Sequence, residues 1–432
     1  MLIETMLSTG LLLTLTVGLA AWCVHVLLTL QAWESRRYAR SRATQAPPRA
    51  SQSVALIVPC KGKELNARQN LAALLSQDYS YFTAIFVVES RDDPAVADIE
   101  AVRSQFAHVR SELIVAGRCS DSGQKVHNLL AATECLPDAV DVLAFADSDA
   151  CPDSDWLGHL VGRLRHPKVG AATGYRWFVP ESNSLPNLVL YSINSAVAGL
   201  LGPGTLGVVW GGAWAIRRDV FDEIDLRTAW QGTLSDDLVA NRAIREAGLE
   251  VRFEPNCVVT SPLSCTWAQA IEFAQRQYRI SRLYLTPWWA MTLISASICQ
   301  LAIGSHLLLA MLPGVPGMWR AALALSVSGM IGMTMFRAKL RQDLVSTYVK
   351  QPHRLRMGQR FDVLASPWVG IMNLLLLAGS VFGRRIRWRG ISYLVSDTGR
   401  SQLIARHYSS PPSPVLLKFP APANSAKPRQ AA

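Results

Sequence analysis

The chain has little charge. Only 17% of its 432 residues are Asp, Glu, Lys or Arg, while half are hydrophobic. A disordered protein and a coiled coil both need far more charge, so neither class applies. No two of the eight cysteines form a Cys-x-x-Cys pair, and the eight histidines show no His-Glu-x-x-His or similar ligand spacing. A disulfide scaffold and a structural zinc site are therefore not expected, and a reducing compartment is. No basic residue precedes the apolar run at 11–30 and no small-residue cleavage site follows it, so a cleaved leader is not expected.

The basic residues that are present sit unevenly. From Arg337 onward 16 Lys and Arg face only Asp343, Asp362 and Asp397, although the whole chain carries only +11. A nucleic-acid binder spreads basic residues over its folded domain. Here they adjoin apolar segments, which suits loops at anionic headgroups. Residues 396–432 read as a basic, Pro-rich tail, solvated at least from 410 onward.

Long uncharged runs supply the membrane part. Residues 11–30 as a helix cover about 30 Å, the thickness of the hydrocarbon core. Arg36, Arg37, Arg40 and Arg42 follow, which by the positive-inside tendency places the next residues in the cytoplasm. Residues 1–35 form the expected anchor. Trp288–Leu312 and Ala321–Phe336 read as a helical hairpin within a membrane region over 286–395. A further uncharged run at 363–383 either crosses, exporting Arg384, Arg385, Arg387 and Arg389 against that tendency, or is re-entrant, broken near Pro367.

Residues 50–285 alternate buried-type strands (54–58, 84–88, 142–146) with helical patterns, which implies a mostly parallel α/β sheet covered by helices. Ligands in such sheets collect at the carboxyl ends of strands, where Asp93 and the Asp147-Ser-Asp149 sequence fall. Two hard carboxylates spaced i and i+2 suit Mg²⁺ or Mn²⁺ on a diphosphate, although Asp and Ser are also ordinary loop and cap residues. Ser235-Asp236-Asp237 opens a helical run: the pair caps the helix or supplies a base for an attacking hydroxyl. Arg276, Arg279 and Arg282 recur along an amphipathic helix, where they either snorkel to headgroups or neutralise a leaving diphosphate. The uncharged stretch 182–216, broken by Pro186 and Gly-rich turns, is an interfacial helix plus loop or a buried core segment.

In order along the chain, VALIVPCKG, VVESRDDPA, GQKVHNLL, AFADSDA, WGGAWAIRRDVF, LSDDLVANRAI and RQYRI resemble the ceramide glucosyltransferase family, and more broadly membrane-bound family 2 glycosyltransferases of GT-A fold. The resemblance spans residues 1 to about 400. It implies a GT-A, Rossmann-like domain between transmembrane helices. It also implies Asp93 as the uridine-contacting aspartate, Asp147 and Asp149 as ligands of Mg²⁺ or Mn²⁺, Asp237 as catalytic base with Asp236 beside it, and Arg276 and Arg279 as the basic pair of (Q/R)xxRW. Lys61 and Lys125 match basic residues near the nucleotide-sugar. Two departures stand out. Ile280 replaces the motif's Trp, and the Asp-Ser-Asp sequence is closer to bacterial enzymes found with hopanoid biosynthesis than to ceramide glucosyltransferase itself.

The resemblance implies inverting transfer of a sugar, glucose first, from a UDP-sugar to the hydroxyl of a membrane lipid such as ceramide, in a bacterial inner membrane. A processive polysaccharide synthase of the cellulose or hyaluronan type needs a channel that three or four helices do not offer. A non-catalytic nucleotide-binding membrane protein is the remaining alternative.

Overall fold

The computed structural model describes residues 2–43, 45–47, 51–64, 66–137, 139–203, 207–349 and 352–406. The tail expected at 410–432 lies outside them. Helix α1 (Leu2–Arg42) opens the chain. The strands are β1 (Val54–Pro59), β2 (Phe82–Val88), β3 (Ser111–Val115), β4 (Val142–Ala146), β5 (Val169–Pro180), β6 (Ala213–Arg217) and β7 (Glu250–Leu263). Between them run α2 (Ala67–Leu75), α3 (Ala95–Gln105), α4 (Gln124–Glu134), α5 (Trp156–Gly162), α6 (Leu185–Ala198), α7 (Arg218–Glu223), α8 (Leu226–Trp230) and α9 (Asp236–Glu246), and α10 (Trp267–Tyr284) follows β7.

The seven strands form one sheet in the order β3-β2-β1-β4-β6-β5-β7. β1 to β4 are parallel, β6 runs antiparallel between β4 and β5, and β7 is parallel to β5. β1 and β4 are apolar and almost wholly buried, as strands covered on both faces must be. β1 neighbours both β2 and β4, so the chain reverses direction of growth there, and the crevice beyond β1 and β4 is where such sheets take ligands. An aromatic cluster braces that point. Phe145 stacks on Trp214 at 4.3 Å, and Trp230 meets both edge-on. The Trp230 indole then donates to the Asp236 carbonyl at 2.9 Å, anchoring the start of α9.

The membrane part consists of α1, α11 (Thr286–Met311) and α12 (Gly317–Gln342), mutually packed, each within a segment long and apolar enough to span. Their outward faces expose Leu19, Leu27, Leu301, Leu308 and Leu325, the pattern of helices solvated by lipid. α1 continues past the bilayer and docks on the sheet, where Arg42 pairs with buried Glu254 at 2.9 Å and Tyr38 donates to the Phe253 carbonyl. Then come α13 (Val345–Tyr348), α14 (Arg356–Leu364) and α15 (Ser366–Gly379), and a three-stranded antiparallel sheet of β8 (Arg385–Trp388), β9 (Ile391–Val395) and β10 (Ser401–Arg406).

The small sheet decides what the sequence left open. The Gln124 amide donates to the Tyr393 hydroxyl and Arg406 pairs with Glu89, so β8–β10 lie on the same side as the large sheet. Two crossings, α11 and α12, satisfy that arrangement, and a third by 363–383 would break it. The segment is instead bent by 79° between Pro352–Leu364 and Ser366–Gly379, and the 14 residues of α15 reach only about 21 Å. The two helices meet at that bend and do not form one straight span.

Two expectations need correction, and one pair of alternatives is decided. The boundary drawn at 395/396 falls inside this sheet, so residues up to Arg406 are folded rather than tail. Arg389 does not lie free at headgroups: it donates to the Lys61 carbonyl and pairs with Glu64. The uncharged stretch 182–216 divides. α6 is largely buried against β5, α12 and α14, and residues 213–216 at the end of the stretch belong to β6 inside the large sheet.

Candidate active site

A cleft of about 590 Å³ opens where β1, β4, the start of α9 and one face of α10 meet, within the usual range for small-ligand sites. Lys61, Lys125, Asp147, Asp149, Asp236, Asp237 and Arg276 all line it. Lys61 and Arg276, 215 positions apart in sequence, thus reach one space.

Lys125, in the first turn of α4, is the hub. Its Nζ lies 2.9 Å from Asp147, 3.2 Å from Asp236 and 3.0 Å from the Gly211 carbonyl. Burial opposes its charge, but Asp147, Asp236 and Asp237 outweigh that and push its pKa up. Asp236 is 4% exposed, and its Oδ2 has no hydrogen-bond partner. Burial pushes its pKa up to about 7, with Lys125 opposing and Asp237 and Asp147 adding to the rise.

Asp237 is held differently. Ser235 caps α9, and its hydroxyl donates to Asp237 Oδ1 at 2.6 Å, where the Leu238 amide also binds at 2.8 Å. The Gly211 amide reaches Oδ2 at 3.1 Å. The carboxylate is thereby fixed in one orientation at the cleft. Gly211 and Gly212 permit this crowding. A Cβ at Gly211 would stand 2.8 Å from Lys125 Nζ and 2.9 Å from Asp236 Oδ2, and one at Gly212 would stand 2.8 Å from Asp147 Oδ2.

Arg176, from the middle of β5, binds both oxygens of Asp149 at 3.0 and 3.1 Å and stands 3.7 Å from Asp147. Burial alone would raise the Asp149 pKa, yet Arg176, Arg389 and Lys125 hold it below the usual range. Arg276 faces the same space over the Phe273 ring at 5.3 Å. Burial lowers its pKa, Glu272 opposes, and Arg176 and Arg389 add to the lowering. The hairpin turn after β8 supplies Trp388 and Arg389, and Arg389 and Gly390 take positive φ there. Trp388 and Ile280 both line the cleft.

Two expected residues lie elsewhere. Asp93 is buried behind the cleft wall, where its Oδ1 accepts from the Gly62 and Ala95 amides at 2.8 and 2.9 Å. It shapes the Lys61 loop, while Lys61 itself pairs with Glu89 at 2.7 Å. Arg279 donates to the Arg385 carbonyl and lines a neighbouring cavity rather than the main cleft. Arg176, Trp388 and Arg389 are additions to the expected set, and Glu64, outside the cleft, anchors Arg389. Arg176 sits in a β-strand pattern with no motif around it, and the position of Arg389 depends on a sheet far along the chain.

This α/β architecture joins a carboxylate-lined cleft to three helices long and apolar enough to span a membrane. The chain belongs to glycosyl transferase family 21, whose sequence model matches residues 13–401. Among solved structures it is similar to a mannosyltransferase, PcManGT, from Pyrobaculum calidifontis in complex with GDP-Man and Mn²⁺ (15% identity, 81% of this chain and 98% of that one, TM-score 0.47). It is also similar to Mycobacterium tuberculosis glucosyl-3-phosphoglycerate synthase (16%, 50% and 72%, 0.31) and S. aureus TarS (11%, 82% and 100%, 0.36).

Proposed function

We propose that the protein transfers glucose from a UDP-sugar to a hydroxyl of a membrane lipid of the ceramide type, with inversion at the anomeric carbon. The observation that carries this reading is the placement of Asp237. Its carboxylate is fixed by Ser235, Leu238 and Gly211 in the cleft that also holds the Asp147-Ser-Asp149 pair, beside α6 and α10, which pack on the membrane helices. In this reading Asp237 takes the acceptor proton as the oxygen bonds to the anomeric carbon from the face opposite UDP. The carbon–oxygen bond to the diphosphate breaks, and the charge arriving there meets Arg276, Arg176 and Lys125. Asp236 holds Lys125 in place beside the base.

The donor set suits a divalent ion. Asp147 and Asp149 present hard oxygens at a strand end, and Gly212, where a Cβ would run into the Trp210 ring and stand 2.8 Å from Asp147 Oδ2, lets that ring and the carboxylate pack closely. Among the described residues no group of three or more His, Cys, Asp or Glu is placed to hold a metal, so Mg²⁺ or Mn²⁺ would complete its shell with diphosphate and water oxygens. Bound there, it would neutralise developing charge on the leaving group. Three spanning helices with Arg36, Arg37, Arg40 and Arg42 after the first fit a cytoplasmic catalytic domain, and we assign it to a bacterial inner membrane.

The test is transfer from radiolabelled UDP-glucose, UDP-galactose and UDP-GlcNAc to total lipid extract, for wild type and Asp237→Asn. An organic-soluble product reduced by roughly 10²–10⁴-fold in the variant, with UDP binding retained, is expected. Label in an insoluble polymer would assign a polysaccharide synthase instead. No transfer from any donor would overturn the reading.

A further inference from the structure

A second cavity of about 410 Å³ lies between the outer face of α10 and the β8–β10 sheet. Arg276, Arg279, Arg385 and Arg387 line it, with Glu272 as its one acid, and Ile271 and Ile404 on its rim are exposed apolar side chains. The neighbouring arginines 384 and 389 pair with Asp397 and Glu64. Among the described residues none of the four cavity arginines is in an ion pair. The Arg279 Nε is moreover buried without a hydrogen-bond partner. A buried guanidinium nitrogen left unsatisfied is costly, and four like charges around one space repel unless an anion joins them. α10 also runs directly into α11, a helix long and apolar enough to span a membrane, and touches the apolar α15, so the cavity adjoins the membrane part of the chain.

We propose that this cavity binds a phosphate group, either the phosphodiester of an anionic phospholipid or free phosphate. Guanidinium forks match phosphate oxygens in geometry and charge. The apolar rim and the adjoining membrane part suit the phospholipid. The site is separate from the donor cleft, sharing only its wall at Arg276 and Ile386. It does not depend on which sugar or acceptor the cleft takes.

The full-length protein, purified from vesicles of phosphatidylcholine doped with phosphatidylglycerol, is analysed for retained phosphatidylglycerol by mass spectrometry. The double variant Arg385→Gln/Arg387→Gln should lose retention by roughly tenfold or more, since each basic side chain near such a surface contributes about a factor of five. Glu272→Gln should raise it, an increase that a merely damaged fold does not produce. Inorganic phosphate that fails to displace the lipid identifies the headgroup as occupant, whereas displacement identifies a free-phosphate site. Retention unchanged in both variants, with no phosphate binding, would overturn the proposal. So would displacement by UDP, which would assign the cavity to the donor cleft.

Discussion

Removing the Lys125 ammonium should destabilise the protein in a way that depends on pH. Among the described residues Lys125 is the one cation within ion-pair distance of Asp236, whose side chain is 5% exposed. Breaking one partner of a buried pair costs about 3–5 kcal/mol when the other stays charged. Protonating Asp236 relieves that cost. In the wild type its pKa, raised from 3.8 to about 7, means that this carboxyl's contribution to stability is full below the unfolded value and is lost as pH rises through 7. In Lys125→Met the folded pKa rises further, so the additional loss appears above pH 7, growing by about 1.4 kcal/mol per unit. Over the pH range from 5.5 to 8.5 (on the order of 1.5 units beyond the wild-type pKa) the extra cost is about 2 kcal/mol. Thermal unfolding followed by tryptophan fluorescence in detergent should show a Tm loss larger at pH 8.5 than at pH 5.5 by about 2–4 °C. Adding Asp236→Asn to Lys125→Met should abolish that difference. An equal Tm loss at both pH values would refute the reasoning.

Gly211→Ala forces a Cβ to within 2.8 Å of Lys125 Nζ and 3.2 Å of Asp237 Oδ2. It should cut the transfer rate at least tenfold while shifting stability by only about 1–3 kcal/mol, as steady-state kinetics and thermal melts will show. Trp388→Ala should raise the acceptor KM about 3–10-fold and leave UDP affinity unchanged, because Trp388 lines the cleft where Ile280 offers no ring. Burial would raise the Glu89 pKa, but Lys61 and Arg406 outweigh it and hold it below the ordinary 4.5. The stability it contributes is therefore full above 4.5 and lost as pH falls through the lowered value. Hydrogen exchange should show β10 losing protection over that acid range, and Glu89→Gln should flatten the change.

Much of the fold was legible in sequence because it depends on local pattern. The runs at 54–58 and 142–146 are apolar without alternation and short, which reads as strands buried on both faces, and the runs at 11–30 and 288–312 are long and uncharged enough for spanning helices. Ser235 before Asp236 and Asp237 marked a helix start, and the start is there. These features are set within a few residues, by side-chain period and backbone hydrogen bonding.

What only the tertiary structure decided depends on distance in space. Arg176 has no motif, yet sheet register carries it from the middle of β5 to Asp149. Asp93 and Arg279 follow their motif positions in sequence, but packing turns one to the backbone of the Lys61 loop and the other to a separate cavity. The path of 363–383 could not be read from hydropathy, since a crossing helix and a re-entrant one bury the same apolar residues. Tyr393 and Arg406, gripping the large sheet, hold the chain that follows this segment on the same side as that sheet. Local composition determines which segments are strands, helices and spans; long-range contacts, invisible to any window of sequence, determine which charges meet.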